Sequence, residues 1–336
     1  MPIVTTEHFK NGNLPLSKNG IPQVSDDDYH RLRGYKLEKD DIVFSRVGSI
    51  DINAYVEQSQ QGWLFSGRVL RVRPIKSVNS LCLHYILYTE SVKRSIRNRA
   101  VGQTMPSINT PILSNTKINI PQSVVEQKKI ANLLSLLDER ITTQNKIIDK
   151  LQSLIKGIAQ HSIRELINGW EHVRLGDICK ITTGKLDANA QVENGQYPFF
   201  TCAERPFNID SYAFDTEALL ISGNGANLGY INYYKGKFNA YQRTYVLDHF
   251  SVNIQYVKWA LKVLLPQRIA IEKSSSNTPY IVLSTLADLK IPIPNNSKQN
   301  HIADLMMSFE RKLSTHLALS DLYNKQKQYL LRQMFI

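Results

Sequence analysis

The sequence predicts an α+β fold, with two mixed α/β globular units, each followed by a long helix, related as an internal repeat. Three observations carry that prediction. Two long stretches without proline place apolar residues at helical spacing, the same register recurs in both, and the remaining chain reads as short β-like runs punctuated by Gly, Asn and Pro. With 336 residues, 42% of them apolar, the chain can bury two cores of ordinary size, and disorder is excluded.

In the first copy, positions 41–48 and 63–74 are β-like and an amphipathic helical stretch surrounds Leu81 to Arg94. Lys117-Ile118-Asn119-Ile120-Pro121 then leads into Glu126-Gln127-Lys128-Lys129-Ile130-Ala131, where the first long periodic stretch begins. Its seven-residue repeat carries Ile130, Leu137, Gln144, Leu151 and Ile158, with Leu133, Ile147 and Leu154 alongside. Asn168-Gly169 stops it, and Trp170 opens the second unit, where 218–225, 230–238 and 244–248 are β-like and 257–271 is helical. Lys290-Ile291-Pro292-Ile293-Pro294 and Lys298-Gln299-Asn300-His301-Ile302-Ala303 repeat the earlier junction, with Ile130 and Ile302 separated by 172 residues. The second periodic stretch carries Ile302, Phe309, His316, Tyr323 and Leu330, with Leu305 and Leu319 alongside. Helices of about 35 to 40 residues follow, roughly 55 to 60 Å long. Ser123 with Glu126, and Asn296 with Gln299, have the spacing of a capping box at each helix start. The expected boundaries are a first unit at 1–122, a helix at 123–167, a second unit at 168–295 and a helix at 296–336.

Met1-Pro2-Ile3-Val4-Thr5 matches Tyr197-Pro198-Phe199-Phe200-Thr201, so the first copy has no counterpart of residues 170–196. A first unit shortened at its N-terminus is expected, through a downstream start, a recombined reading frame or natural shortening. Its sheet should then have an open edge that invites pairing with another chain.

Forty-one Lys and Arg against 29 Asp and Glu give a net charge of +12, which attracts polyanions, nucleic acid foremost. No apolar run approaches the roughly 18 to 20 residues of a membrane span, and no signal layout opens the chain, so a cytoplasmic location is expected. Cys82, Cys179 and Cys202 lie far apart without a CxxC, which supports neither a zinc site nor a disulfide framework. Glu126-Gln127-Lys128 and Glu310-Arg311-Lys312 offer half of a nuclease metal site, but both lie in the long helices with no Asp ahead on a strand. The run from Gly223 to Gly229 resembles a dinucleotide or methyl-donor loop, yet its spacing is one residue too long and a β-like run follows, so it reads as a tight turn. The chain also lacks GxxxxGK[ST] and the tetrad that grips a flipped base, so no catalytic residue is expected.

Basic clusters are the positive signal. In the first copy they comprise Arg46, Arg68, Arg71, Arg73, Arg97 and Arg99, with Gln103 and Thr104. The second offers Lys185, Asn224, Asn227, Tyr241, Gln242 and Arg243, then Lys273, Ser274, Ser275 and Asn277. Cations with amide and hydroxyl side chains are what phosphate oxygens and base edges require, so these residues are the expected DNA contacts.

Together these features resemble the specificity subunits of type I restriction-modification systems. The likeness rests on the strand and proline run into EQKKIA, the opening of the second unit at Gly169-Trp170-Glu171-His172-Val173-Arg174-Leu175-Gly176-Asp177-Ile178, and the terminal Leu330-Leu331-Arg332-Gln333-Met334-Phe335. A departure is Lys298 where the first copy has Glu126. The resemblance implies two target-recognition domains held apart by two antiparallel helices about a pseudo-two-fold axis, each domain reading half of a bipartite site in double-stranded DNA. It also implies two methyltransferase subunits and motor-nuclease restriction subunits as partners, which would carry the methyl donor, ATP and Mg²⁺. Two other classes stay open: a stand-alone DNA-binding regulator or decoy, and a helix-paired scaffold that binds no DNA.

Overall fold

The computed structural model describes residues 1–9, 12–167, 169–272 and 280–335. It divides into two compact units, Met1–Asn145 with Ala318–Ile336, and Lys146–Leu317, so each long helix gives one part to each unit.

In the first unit Ile42–Ser45 is the central strand of a three-stranded antiparallel sheet, between Asn53–Tyr55 and Val69–Val72. Alternation along the strand sends Ile42 and Phe44 to one core, with Ile86 and Leu87 of helix Ser80–Leu87, and Val43 to another, with Val4 and Trp63. A parallel pair, Ile3–Val4 with Leu64–Phe65, lies beside them. The helical stretch around Leu81 to Arg94 forms two helices, Ser80–Leu87 and Glu90–Arg97, because Thr89 between them adopts an extended conformation.

The second unit builds the same motif into a larger sheet, in the order Lys180–Thr183, Thr244–Asp248, Phe214–Ser222, Ile231–Ala240, Tyr197–Phe200, Phe207–Ile209. Its central strand splits alike: Leu219 and Ile221 face helix Ile254–Glu272, whereas Ala218 and Leu220 join Phe200 and Phe238 on the other side.

Both long helices are unbroken, Val124–Ile167 and Asn296–Met334. Within the first unit Lys327 Nζ donates to Asp138 Oδ1 at 2.5 Å and Ser320 Oγ bonds Asn145 Oδ1 at 3.0 Å. Seven residues forward on one helix correspond to seven backward on the other, so the two segments run antiparallel there. Within the second unit Ile155, Ala159 and Ile163 share a core with Ile302 and Met306. The buried stripe of the first helix passes through Leu134 and Ile155, while Leu133 and Leu154 are exposed, a correction to the expected seam. Leu133 and Leu154 each precede a residue of that stripe by one position, a rotation of about 100° at 3.6 residues per turn, which carries them off the core face.

Each helix start is pinned by a glutamine that the sequence did not single out for this work. Gln127 Nε2 donates to Pro121 O at 2.7 Å, and its Oε1 accepts from Asn79 N at 2.7 Å. Gln299 repeats both bonds, to Pro294 O at 2.8 Å and from Asn253 N at 3.1 Å. Both glutamines are 2% exposed, so these bonds satisfy groups that water does not reach. The cap of the second helix is Asn295, which accepts from Lys298 N at 2.9 Å, rather than the expected Asn296. Asn295 is the repeat position of Ser123, which accepts from Glu126 N at 3.4 Å.

No helix of the described residues is long and apolar enough to cross a membrane.

Candidate nucleic-acid interface

A shared backbone frame positions the side chains expected to meet DNA, and it is built once in each unit. In the first, the residue after the central strand, Arg46, donates its N–H to Arg68 O at 3.0 Å and accepts from Ile108 N at 2.9 Å. In the second, Gly223 donates to Arg243 O at 2.8 Å and accepts from Ile281 N at 2.8 Å. The frame ties a strand end, the turn before the neighbouring strand and a third segment to one point. Arg68 and Arg243 thus take equivalent places, both exposed, and neither side chain makes an ion pair or hydrogen bond among the described residues.

Beside the first frame, the turn carrying Gln103 and Thr104 is held by Val101 N and Ser107 N, each bonded to the other residue's carbonyl, and by Gly48 N donating to Pro106 O at 2.9 Å. Gly102 has φ +99, and a Cβ there would lie 2.9 Å from Met105 O, so only glycine makes this turn without strain. Gln103 and Thr104 are exposed on it, and Arg46 reaches Gly67 O at 3.3 Å.

The second frame borders a cavity of about 700 Å³ lined by Thr183, Gly223, Asn224, Gln242, Arg243, Tyr245, Tyr280 and Ile281. Cys202 organises its side: the thiol lies 3.0 Å from Asn224 Oδ1, and Asn227 Nδ2 donates to Cys202 O at 3.0 Å. Gln242 N donates to Leu186 O at 2.9 Å, so its backbone is fixed while its amide is exposed. Tyr241 is half-buried and Lys185 is exposed nearby, since Leu186 bridges Tyr241. The Tyr245 hydroxyl donates to Ile281 O at 2.9 Å, and burial pushes its pKa up, so it stays a neutral donor. The run from Gly223 to Gly229 is the tight turn expected, with Gly225 and Gly229 at φ +78 and +79 and a strand starting at Ile231.

Four further expected contacts are engaged within the fold. Arg73 makes a two-pronged bridge to Asp41, 2.7 and 2.8 Å, and a third bond to Glu38 at 2.8 Å. Arg97 bridges Asp51 at 2.5 Å and also Glu90, and these carboxylates push its pKa further up. Arg71 donates to Lys36 O at 2.7 Å and lies over the Phe65 ring, and Arg99 donates to Asn115 O at 2.7 Å. Lys273, Ser274, Ser275 and Asn277 lie outside the described residues.

In the Glu126-Gln127-Lys128 and Glu310-Arg311-Lys312 runs, two side chains have work within the fold. Gln127 is the buried helix pin described above, and Glu310 bridges Lys258 at 2.6 Å and Lys262 at 3.3 Å. Among the described residues no group of three His, Cys, Asp or Glu is placed to hold a metal ion.

The family comparison matches the twofold construction: the type I restriction-modification DNA specificity domain aligns twice, over residues 1–153 and 167–320. The chain belongs to the type I restriction-modification DNA specificity family. Among specificity subunits, it is similar to that of the type I enzyme EcoDI of Escherichia coli, 44% identical over 149 residues, 44% of this chain and 31% of that protein. The MjaIX specificity subunit of Methanocaldococcus jannaschii is 25% identical over 260 residues, 66% of this chain and 60% of that one. The matched stretches thus span less than two thirds of either relative. The crystal structure of a type I system S subunit from M. genitalium has the same fold, with a TM-score of 0.71 and 19% identity, over 90% of this chain and 84% of that one.

Proposed function

We propose that this chain is the sequence-reading subunit of a type I restriction-modification complex, binding a bipartite site in double-stranded DNA. The observation that carries the reading is the duplicated frame, which presents an exposed arginine, Arg68 or Arg243, with amide side chains beside it, once per unit. Arginine gives phosphate affinity or bidentate contact to guanine, and amides match adenine edges, so each frame can read one half-site. The long helices act as the spacer that sets the gap. Two methyltransferase subunits and the motor-nuclease subunits are the partners, and methyl donor, ATP and Mg²⁺ belong to them, in the cytoplasm. Family membership supports this assignment of chemistry.

The test is selection from a random duplex library by the chain bound to its methyltransferase. Enrichment of two short motifs at fixed separation is expected. Sequence-independent retention would overturn the reading, and specific binding by a chain that captures no methyltransferase would favour a stand-alone regulator.

A further inference from the structure

We propose that Asn224 is a specificity-determining residue of the second unit, held by Cys202 as a hydrogen-bond donor, and that it selects guanine in the half-site this unit reads. The inference rests on the DNA-reading assignment and names the base that this part of the chain recognises.

The fold sets the orientation of the amide. A Cβ on Gly223 would lie 2.5 Å from Arg243 O, so the first side chain past the central strand is that of Asn224. Its Oδ1 accepts from the Cys202 thiol at 3.0 Å. The same sulfur lies 3.6 Å from Arg243 O, but that carbonyl already accepts from Gly223 N at 2.8 Å, which leaves the thiol proton to Asn224. Cys202 is itself fixed, because Asn227 Nδ2 donates to its carbonyl at 3.0 Å and the neighbouring Thr201 Oγ1, in a buried residue, accepts from Ala203 N at 3.2 Å. The carbonyl end of the Asn224 amide is thus turned to the protein. Its Nδ2, with two N–H donors, makes no hydrogen bond among the described residues.

The cavity around this amide is short of acceptors. Three backbone carbonyls frame it, and each is engaged: Arg243 O by Gly223 N, Gly223 O by Ile281 N at 2.8 Å, and Ile281 O by the Tyr245 hydroxyl at 2.9 Å. Among the described residues no carboxylate lines it, whereas Arg243 brings a guanidinium that only donates. Gln242, Thr183 and Tyr280 offer donor and acceptor alike and do not discriminate. In the major groove guanine presents two acceptors, N7 and O6, and thymine one, O4; adenine and cytosine each present an amine that needs an acceptor. Donors in excess of acceptors therefore match guanine. An asparagine free to use both ends of its amide would pair with adenine, so the thiol contact changes the base that is read. The first unit has Val47 and Thr6 at the equivalent places of the repeat, so the effect belongs to one half-site alone.

The test uses the full chain bound to the proposed methyltransferase partner and duplexes selected from a random library. A guanine is expected in one half-site at a position where Asn224→Ala lowers the preference by about fivefold or more, with the other half-site left sharp. Cys202→Ala should admit adenine at that position, and Cys202→Ser, whose hydroxyl also donates to Oδ1, should restore guanine; a packing role alone would weaken all sequences alike. Replacing that guanine by 7-deazaguanine, which lacks the N7 acceptor, should weaken binding by the unaltered chain and affect the Asn224→Ala complex less. A bipartite motif without guanine, or one in which Asn224→Ala alters no position or alters one occupied by another base, overturns the proposal and leaves the DNA-reading assignment standing. So does unaltered chain that binds 7-deazaguanine as tightly as guanine throughout the motif. Sequence-independent binding overturns both.

Discussion

Arginines of the same type have different work in this chain, and mutation should separate them. Arg68 and Arg243 are exposed without ion-pair partners among the described residues, so Ala at either should weaken DNA binding uniformly across sequences and lower the salt slope by about 1. Gln242→Ala should instead relax sequence choice, at about 1–3 kcal/mol for a lost base contact. Arg73→Ala should leave DNA affinity largely intact and destabilise the fold, because Asp41, 1% exposed, would be buried without its guanidinium. With Arg73 itself partly exposed, about 1–3 kcal/mol is expected, read as a lower urea midpoint. Partner choice explains why the sequence did not distinguish these arginines. Asp41 lies 32 residues from Arg73 and Asp51 lies 46 from Arg97, distances at which only the fold brings charges together.

His84 gives the first unit a pH dependence. The ring is buried against Asn53 Oδ1 at 2.7 Å, and burial, with lesser repulsion from Lys327, lowers its pKa to about 4 from 6.5. The unfolded chain therefore binds the proton more readily between those values, and stability falls as pH drops from about 6.5 towards 4. The loss should reach up to about 3 kcal/mol, followed by urea unfolding of the first unit across that range. His84→Gln should flatten the dependence; an unchanged slope would place its origin elsewhere.

At the scale of elements, the periodic parts were legible and the long-range polar pins were not. Helical spacing foretold both long helices, which bury one stripe each, and short β-like runs bounded by Gly, Asn and Pro foretold the central strands, which bury both faces. The register of the stripe was missed at Leu133 and Leu154, where leucines lie on both sides of the true face and composition does not choose between neighbours. Gln127 and Gln299 were read through their motif, whereas their work depends on Asn79 and Asn253, 48 and 46 residues away. Their truncation tests this. Gln127→Ala and Gln299→Ala should each cost about 1–3 kcal/mol, since a buried backbone N–H and a carbonyl lose their partners, with melting shifted in the unit that holds the substitution. Of the candidate site, the strand ends and basic clusters were legible, whereas the frame that joins Arg46 to Arg68 and Gly223 to Arg243 consists of backbone bonds with no side-chain signature.

For the whole molecule, duplication is the fact from which function follows. Under the proposed function, one frame would read one short word of sequence, and two would read two words at a set separation. The measurement that tests this most directly is methylation mapping of DNA from cells carrying the proposed methyltransferase partner, with and without the chain. The account predicts methylation at a two-part motif of constant gap that requires the chain, with Gln242→Ala blurring one half and leaving the other sharp. Methylation that is unchanged when the chain is absent, or a single undivided motif, would contradict it.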